Sequence, residues 1–167
     1  MPQAAMSMSA TDTALHAVLA MAVPELHRHC VDRWVVIGSA AARLAGAEVT
    51  VADVDVLTSV RDADALIDHW QARQDGGHAP VDSDRFRSRF ARFDFPGLPL
   101  ELMGGLELHG DSGWAPVRID DIVMLDVAGV AVPVPVVSGQ IRVLESFGRP
   151  KDLRRVATLK SLSGAKA

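Results

Sequence analysis

The sequence predicts a mixed α+β domain: a small mixed sheet with helices mostly on one face and a C-terminal helical pair. Three observations carry this expectation. Trp34-Val35-Val36-Ile37 is a short β-branched apolar run of the kind that forms a strand buried on both faces. Ser83 to Met103 alternates in character around the turn pair Pro96-Gly97, as a hairpin does. The segments follow one another as helices, strand, helix, strand, helix, strands and helices, with no repeat or linker between them. At 167 residues and 49% apolar content, the chain is long enough for one domain with a substantial core.

Residues 1 to 10 are small, polar and Met-rich and read as a frayed tail. Thr11 or Thr13 caps a first helix with Leu15, Val18, Leu19 and Ala22 at helical spacing, and Pro24 opens a second helix to Val31. Gly38-Ser39 turns the chain after the first strand into an Ala-rich helix ending at Gly46. Val49 to Leu57 is the second strand. Asp62 to Arg73 follows as a third helix with Leu66, Ile67 and Trp70 on one side, and Gln74 to Pro80 as a mobile loop. Within the alternating stretch, a bulge near Ala91 reconciles the phase of Phe86 and Phe90 with that of Phe93 and Phe95. Pro99 to Met103 returns as a strand ended by Gly104-Gly105. Pro133 and Pro135 place the strand of Gly129 to Val137 at an edge. Ser138 then caps a helix to Phe147, Gly148 breaks it, and Pro150 opens the last one, to about Leu162. The organisation expected is an N-terminal tail with helices over 1–30, a core over 31–137 and C-terminal helices of the same domain over 138–167.

A net charge of −4 argues against broad attraction to nucleic acid or anionic membrane. Cys30 is the single cysteine, so an intrachain disulfide and a Cys-rich zinc site are excluded. No basic leader or uninterrupted apolar span appears, and the expected location is cytoplasmic, away from membranes. His27-Arg28-His29-Cys30 reads as helix surface, because residues two apart on a helix do not share a face.

The chemistry concentrates at Asp53-Val54-Asp55. On a strand, two such carboxylates project from one face about 6.6 Å apart, and their repulsion is relieved by a divalent cation that takes oxygen ligands. Glu101, between Leu100 and Leu102, is an isolated carboxylate in an apolar strand, with Asp94 as a competing third acid. It is either a third metal ligand or an ion-pair partner of Arg85, Arg87 or Arg89. Three carboxylates suffice to hold two Mg²⁺ ions of the kind that support in-line displacement at phosphorus. Gly38 allows backbone N–H groups close to a phosphate, the Ser39 hydroxyl adds a donor, and the helix behind them directs its positive end there.

Val36-Ile37-Gly38-Ser39, thirteen intervening residues, Asp53-Val54-Asp55-Val56 and later Leu100-Glu101-Leu102 resemble the signature of the nucleotidyltransferase superfamily of DNA polymerase beta type. The stretch from Val127 to Pro133 followed by Gly148-Arg149-Pro150-Lys151-Asp152-Leu153 looks like the ending of bacterial nucleotidyltransferases that include abortive-infection toxins. The resemblance spans roughly residues 31 to 160. It implies Mg²⁺ or Mn²⁺ as cofactor and a nucleoside triphosphate (NTP) as substrate, with transfer of the nucleoside monophosphate to a hydroxyl of protein, RNA or a small molecule. In that scheme Asp53, Asp55 and Glu101 hold metal and act catalytically, while Gly38, Ser39, Lys151 and Arg149 hold the triphosphate. A toxin or antitoxin partner is implied as well. The alternative is an inactive relative that binds a nucleotide or a partner protein.

Overall fold

Consecutive apolar residues require burial on both sides of a strand, and the centre of the sheet meets that requirement. The structure is a computed structural model that describes residues 8–77, 80 and 82–165; the expected tail over Met1 to Ser7, and His78 and Ala79 of the expected loop, lie outside them. In chain order the elements are α1 (Ala10–His29), β1 (Val35–Ile37), α2 (Gly38–Leu44), β2 (Val54–Thr58), α3 (Val60–His69), a 3₁₀ turn (Gln71–Arg73), β3 (Phe86–Phe93), β4 (Leu100–Gly110), β5 (Gly113–Pro116), β6 (Ile122–Val127), β7 (Val130–Pro135), α4 (Val137–Phe147) and α5 (Pro150–Ala165). The main sheet runs β1-β2-β4-β3, with β5 on the far end of β4, and β6 and β7 form a separate ribbon. Among the described residues, only the β2–β4 pairing is parallel.

One face of the sheet carries Val36, Val54, Val56, Leu100, Leu102 and Phe93 against α1 and α3. The other carries Val35, Ile37 and Leu57, and belongs to the cluster that includes Leu144, Phe147, Val156 and Leu159 of α4 and α5. Full burial of such side chains contributes about 1.5–3 kcal/mol each. The α+β class, the mixed sheet and the C-terminal helical pair are as expected. One detail differs: helices cover both faces, because β1 and β2 are apolar on both sides.

Several local expectations are corrected. Ser9, not Thr11 or Thr13, caps α1, accepting a hydrogen bond from the Asp12 N–H. Pro24 opens no second helix and lies inside α1. The carbonyl it leaves without a donor belongs to Ala20, and both residues are exposed, so water satisfies it while Ala22, Val23 and Leu26 keep the helix seated. The second strand begins only at Val54. Its helix α3 starts at Val60, capped by Ser59, and ends at His69, with Gln71–Arg73 as a 3₁₀ turn. Gln74 and Asp75 beyond it are held on the β3 edge, Asp75 donating its N–H to the Arg92 carbonyl. Val136, not Ser138, precedes α4.

Gly104-Gly105 does not end β4. A Cβ on Gly104 would sit 2.6 Å from the Ala63 Cβ, so this glycine lets α3 approach the sheet. Gly105, at φ +61°, supplies an extra residue between the pairs Arg87–Glu107 and Arg89–Gly104. The bulge expected near Ala91 is therefore here, on the partner strand.

The loop entering β1 is fixed by Asp62, 1% exposed, whose carboxylate accepts from the N–H groups of Val31 (3.0 Å) and Asp32 (2.7 Å). A buried carboxylate is stable only with such donors.

Candidate active site

The register of the sheet builds the site. Ile37 pairs with Asp55, Asp55 with Glu101, and Glu101 with Arg92, so one row across four strands reads apolar, acid, acid, base. Neighbours in register project to the same face. Asp53 immediately precedes β2 in a bend rather than in the strand, and its carboxylate still joins the other two. One carboxylate oxygen from each of Asp53, Asp55 and Glu101 lies within 4.8 Å of the others, and all three residues are partly buried. Among the described residues, Asp94 is not in this group: it is exposed, and its N–H donates to the Arg73 carbonyl at 2.8 Å.

Three acids at this separation repel one another. Burial first, then the charges of Asp53 and Glu101 and a hydrogen bond with Asp53, push the Asp55 carboxyl well above the usual carboxylate range, while Arg155 of α5 pulls the other way. Gly38 closes the site from the opposite side. It sits at φ +70°, and a Cβ there would lie 2.7 Å from Asp55 Oδ2. Only glycine fits both the backbone and the space. The oxygen-only donor set, the mutual repulsion of its acids and the glycine-bared cradle fit a hard divalent cation.

Arg92 is the residue that sequence reasoning missed. Its Nη1 lies 2.6 Å from Glu101 Oε2 and 4.0 Å from Asp53 Oδ2, and its Nε lies 3.9 Å from Asp75 Oδ2. The signal was present: counting equally outward from Pro96-Gly97 sets Arg92 opposite Glu101, whereas Arg85, Arg87 and Arg89 fall beyond it. Of those, Arg87 pairs with Glu107 and Arg89 with Asp64.

No family model and no curated protein matches the chain by sequence. Solved structures do match. A Thermotoga maritima protein assigned as a nucleotidyltransferase superposes with a TM-score of 0.67 at 19% identity, over 89% of this chain and 92% of that one. The chain has the nucleotidyltransferase fold. The antibiotic-resistance factor ANT(2'')-Ia matches with a TM-score of 0.53 at 14% identity, over 93% of this chain and 85% of that one. The lincomycin-bound lincosamide adenylyltransferase LnuA matches with a TM-score of 0.54 at 10% identity, over 85% of this chain and 94% of that one.

On this nucleotidyltransferase fold, the remaining expected residues divide. Ser39 is 4% exposed in the first turn of α2, beside Gly38. Lys151 is exposed in the first turn of α5, and Arg155 follows four residues later, on the same side of the helix. Arg149, expected to hold phosphate, engages its donors within the protein. Nε and Nη2 bond both oxygens of Asp152 (2.6 and 3.1 Å), which is 0% exposed, and Nη1 bonds Asp82 at 3.0 Å. This fork ties α5 to the chain entering β3. Two clefts, of about 330 and 450 Å³, are lined by other residues, including Leu57 and Val117 in the first and Leu108 and Ser146 in the second. Among the described residues, no helix is long and apolar enough to cross a membrane.

Proposed function

We propose that the protein is a metal-dependent nucleotidyltransferase that moves a nucleoside monophosphate from an NTP to a hydroxyl acceptor, releasing pyrophosphate. One observation carries the reading: the oxygens of Asp53, Asp55 and Glu101 converge within 4.8 Å beside Gly38 on a fold shared with nucleotidyltransferases. Asp53, Asp55 and Glu101 hold Mg²⁺ or Mn²⁺, which when bound offsets the negative charge of the reacting phosphate oxygens. The Gly38-Ser39 bend presents backbone N–H groups to the β- and γ-phosphates. Lys151, with Arg155 on the same side of α5, neutralises the triphosphate and the departing pyrophosphate. Arg92 orients Glu101, so that this carboxylate serves as a ligand or takes the proton of the acceptor hydroxyl. The acceptor is a small-molecule, protein or RNA hydroxyl. The lincosamide adenylyltransferase among the similar structures favours the first, and the acidic overall charge disfavours long RNA.

The Arg92 ion pair also supports a second reading. An internal cation beside Glu101 and Asp53 compensates the acids without a metal, as suits a non-catalytic relative that binds a nucleotide or a partner, for instance in a toxin-antitoxin pair. Calorimetry of ATP and CTP binding with and without Mg²⁺ separates the two. The enzyme reading expects Mg²⁺-dependent heat and pyrophosphate release, both lost in Asp53→Asn/Asp55→Asn. Nucleotide binding that ignores Mg²⁺ and survives the double substitution overturns it.

A further inference from the structure

A second cluster of ligating groups lies on the other side of the sheet. His29 is the last residue of α1 and His69 the last of α3, two helices that pack together on the face away from Asp55 and Glu101. Glu25 stands one turn before His29, on the same side of α1. One donor atom from each of the three residues lies within 4.8 Å of the others. Glu25 Oε2 is 3.6 Å from His29 Nε2 and 3.2 Å from His69 Nε2, and the two imidazole rings lie 3.9 Å apart, tilted by 35°.

These spacings have a chemical reading. Zinc bonds to nitrogen and carboxylate oxygen run about 2.0–2.2 Å, which places neighbouring ligand atoms of a tetrahedron about 3.3–3.6 Å apart. Both contacts to Glu25 meet or closely approach that separation. His29 Nε2 is buried and has no hydrogen-bond partner, a costly state for a nitrogen aimed at a carboxylate slightly out of reach. His69 Nε2 faces the same Glu25 oxygen, so the two ring nitrogens converge on one carboxylate. A borderline divalent ion accepts both lone pairs and the carboxylate together.

We propose that Glu25, His29 and His69 form a Zn²⁺ site, independent of the acidic cluster, that pins the C-terminal end of α1 to that of α3. Each ligand is roughly one-third exposed, so water reaches the fourth position. Trp70, packed edge-on against Phe93 and Phe95, gives the site an apolar floor next to His69. The nitrogen-rich donor set selects Zn²⁺ over Mg²⁺, which distinguishes it chemically from the three-carboxylate site.

The test is a Zn²⁺ titration of full-length Asp53→Asn/Asp55→Asn protein, in which the acidic cluster is silenced and this site is intact. Calorimetry should show one equivalent bound and a rise in Tm, and Co²⁺ in place of Zn²⁺ should give the strong visible absorption of a four-coordinate ion. Adding His69→Ala should weaken binding by at least about 100-fold and remove the Tm shift. Glu25→Gln provides the same test with minimal change of volume should His69→Ala fail to fold. His27→Ala, whose imidazole instead contacts the Ala131 carbonyl at 2.7 Å, should bind as before. Absence of a one-equivalent isotherm, or Zn²⁺ affinity unchanged by Glu25→Gln, overturns the site.

Discussion

At the scale of single residues, the acidic site concentrates electrostatic conflict. Asp55 meets burial, two nearby carboxylates and the backbone of Gly38, and its raised pKa records how unwelcome the charge is. Asp55→Asn keeps the shape and removes the charge. In chelator at neutral pH, urea denaturation should show the variant to be at least as stable as the parent, and usually more so, while it loses Mg²⁺-dependent nucleotide binding. A fall in stability would mean that the carboxylate is a structural group. Cys30 illustrates the opposite case of a reactive group kept quiet. Burial, with the Asp62 charge adding to it, pushes its thiol up to about 12, so it contributes packing and no nucleophile.

At the scale of elements, the contacts between helix and sheet are set by small residues and single ion pairs. Gly104 marks the closest approach of α3 to β4. Gly104→Ala would bring its Cβ within 2.6 Å of the Ala63 Cβ and 3.0 Å of the Ser59 carbonyl, so thermal unfolding should reveal a loss of about 1–3 kcal/mol. The link from α1 to α2 is Asp12 to Arg43, with Nε to Oδ1 at 2.9 Å. The hydrogen bond from Arg43 holds the Asp12 carboxyl below its ordinary value of 3.8. A depressed carboxylate stabilises the fold above the unfolded-state pKa, and that contribution fades as pH falls through the folded-state value. Asp12→Asn should therefore be less stable at pH 7 and show a shallower loss of stability on acidification below about pH 4. Equilibrium urea curves at the two ends of that range measure both effects.

At the scale of the whole molecule, the sequence revealed most where one local rule dominates. The runs Val35–Ile37 and Val54–Leu57, the Pro96-Gly97 hairpin and the Gly148 stop each follow from period, turn chemistry or a left-handed cap, and Asp53, Asp55 and Glu101 stood out as charges in apolar text. What stayed hidden depended on tertiary context. Pro24 is tolerated because its orphaned carbonyl faces water, and Gly104-Gly105 continues a strand because a helix needs the space. Arg149 bonds Asp82 because distant segments meet there. Glu25, His29 and His69 converge only when two helix ends do. The parallel alignment of β2 with β4 has a further consequence. A slip of one position would turn Glu101 toward Leu66 and Val54 and expel Leu100 from the interior, so the geometry that assembles the acids is the same one that keeps the core dry. Selection for solubility and selection for chemistry thus act on a single alignment, and drift in either is policed by the other.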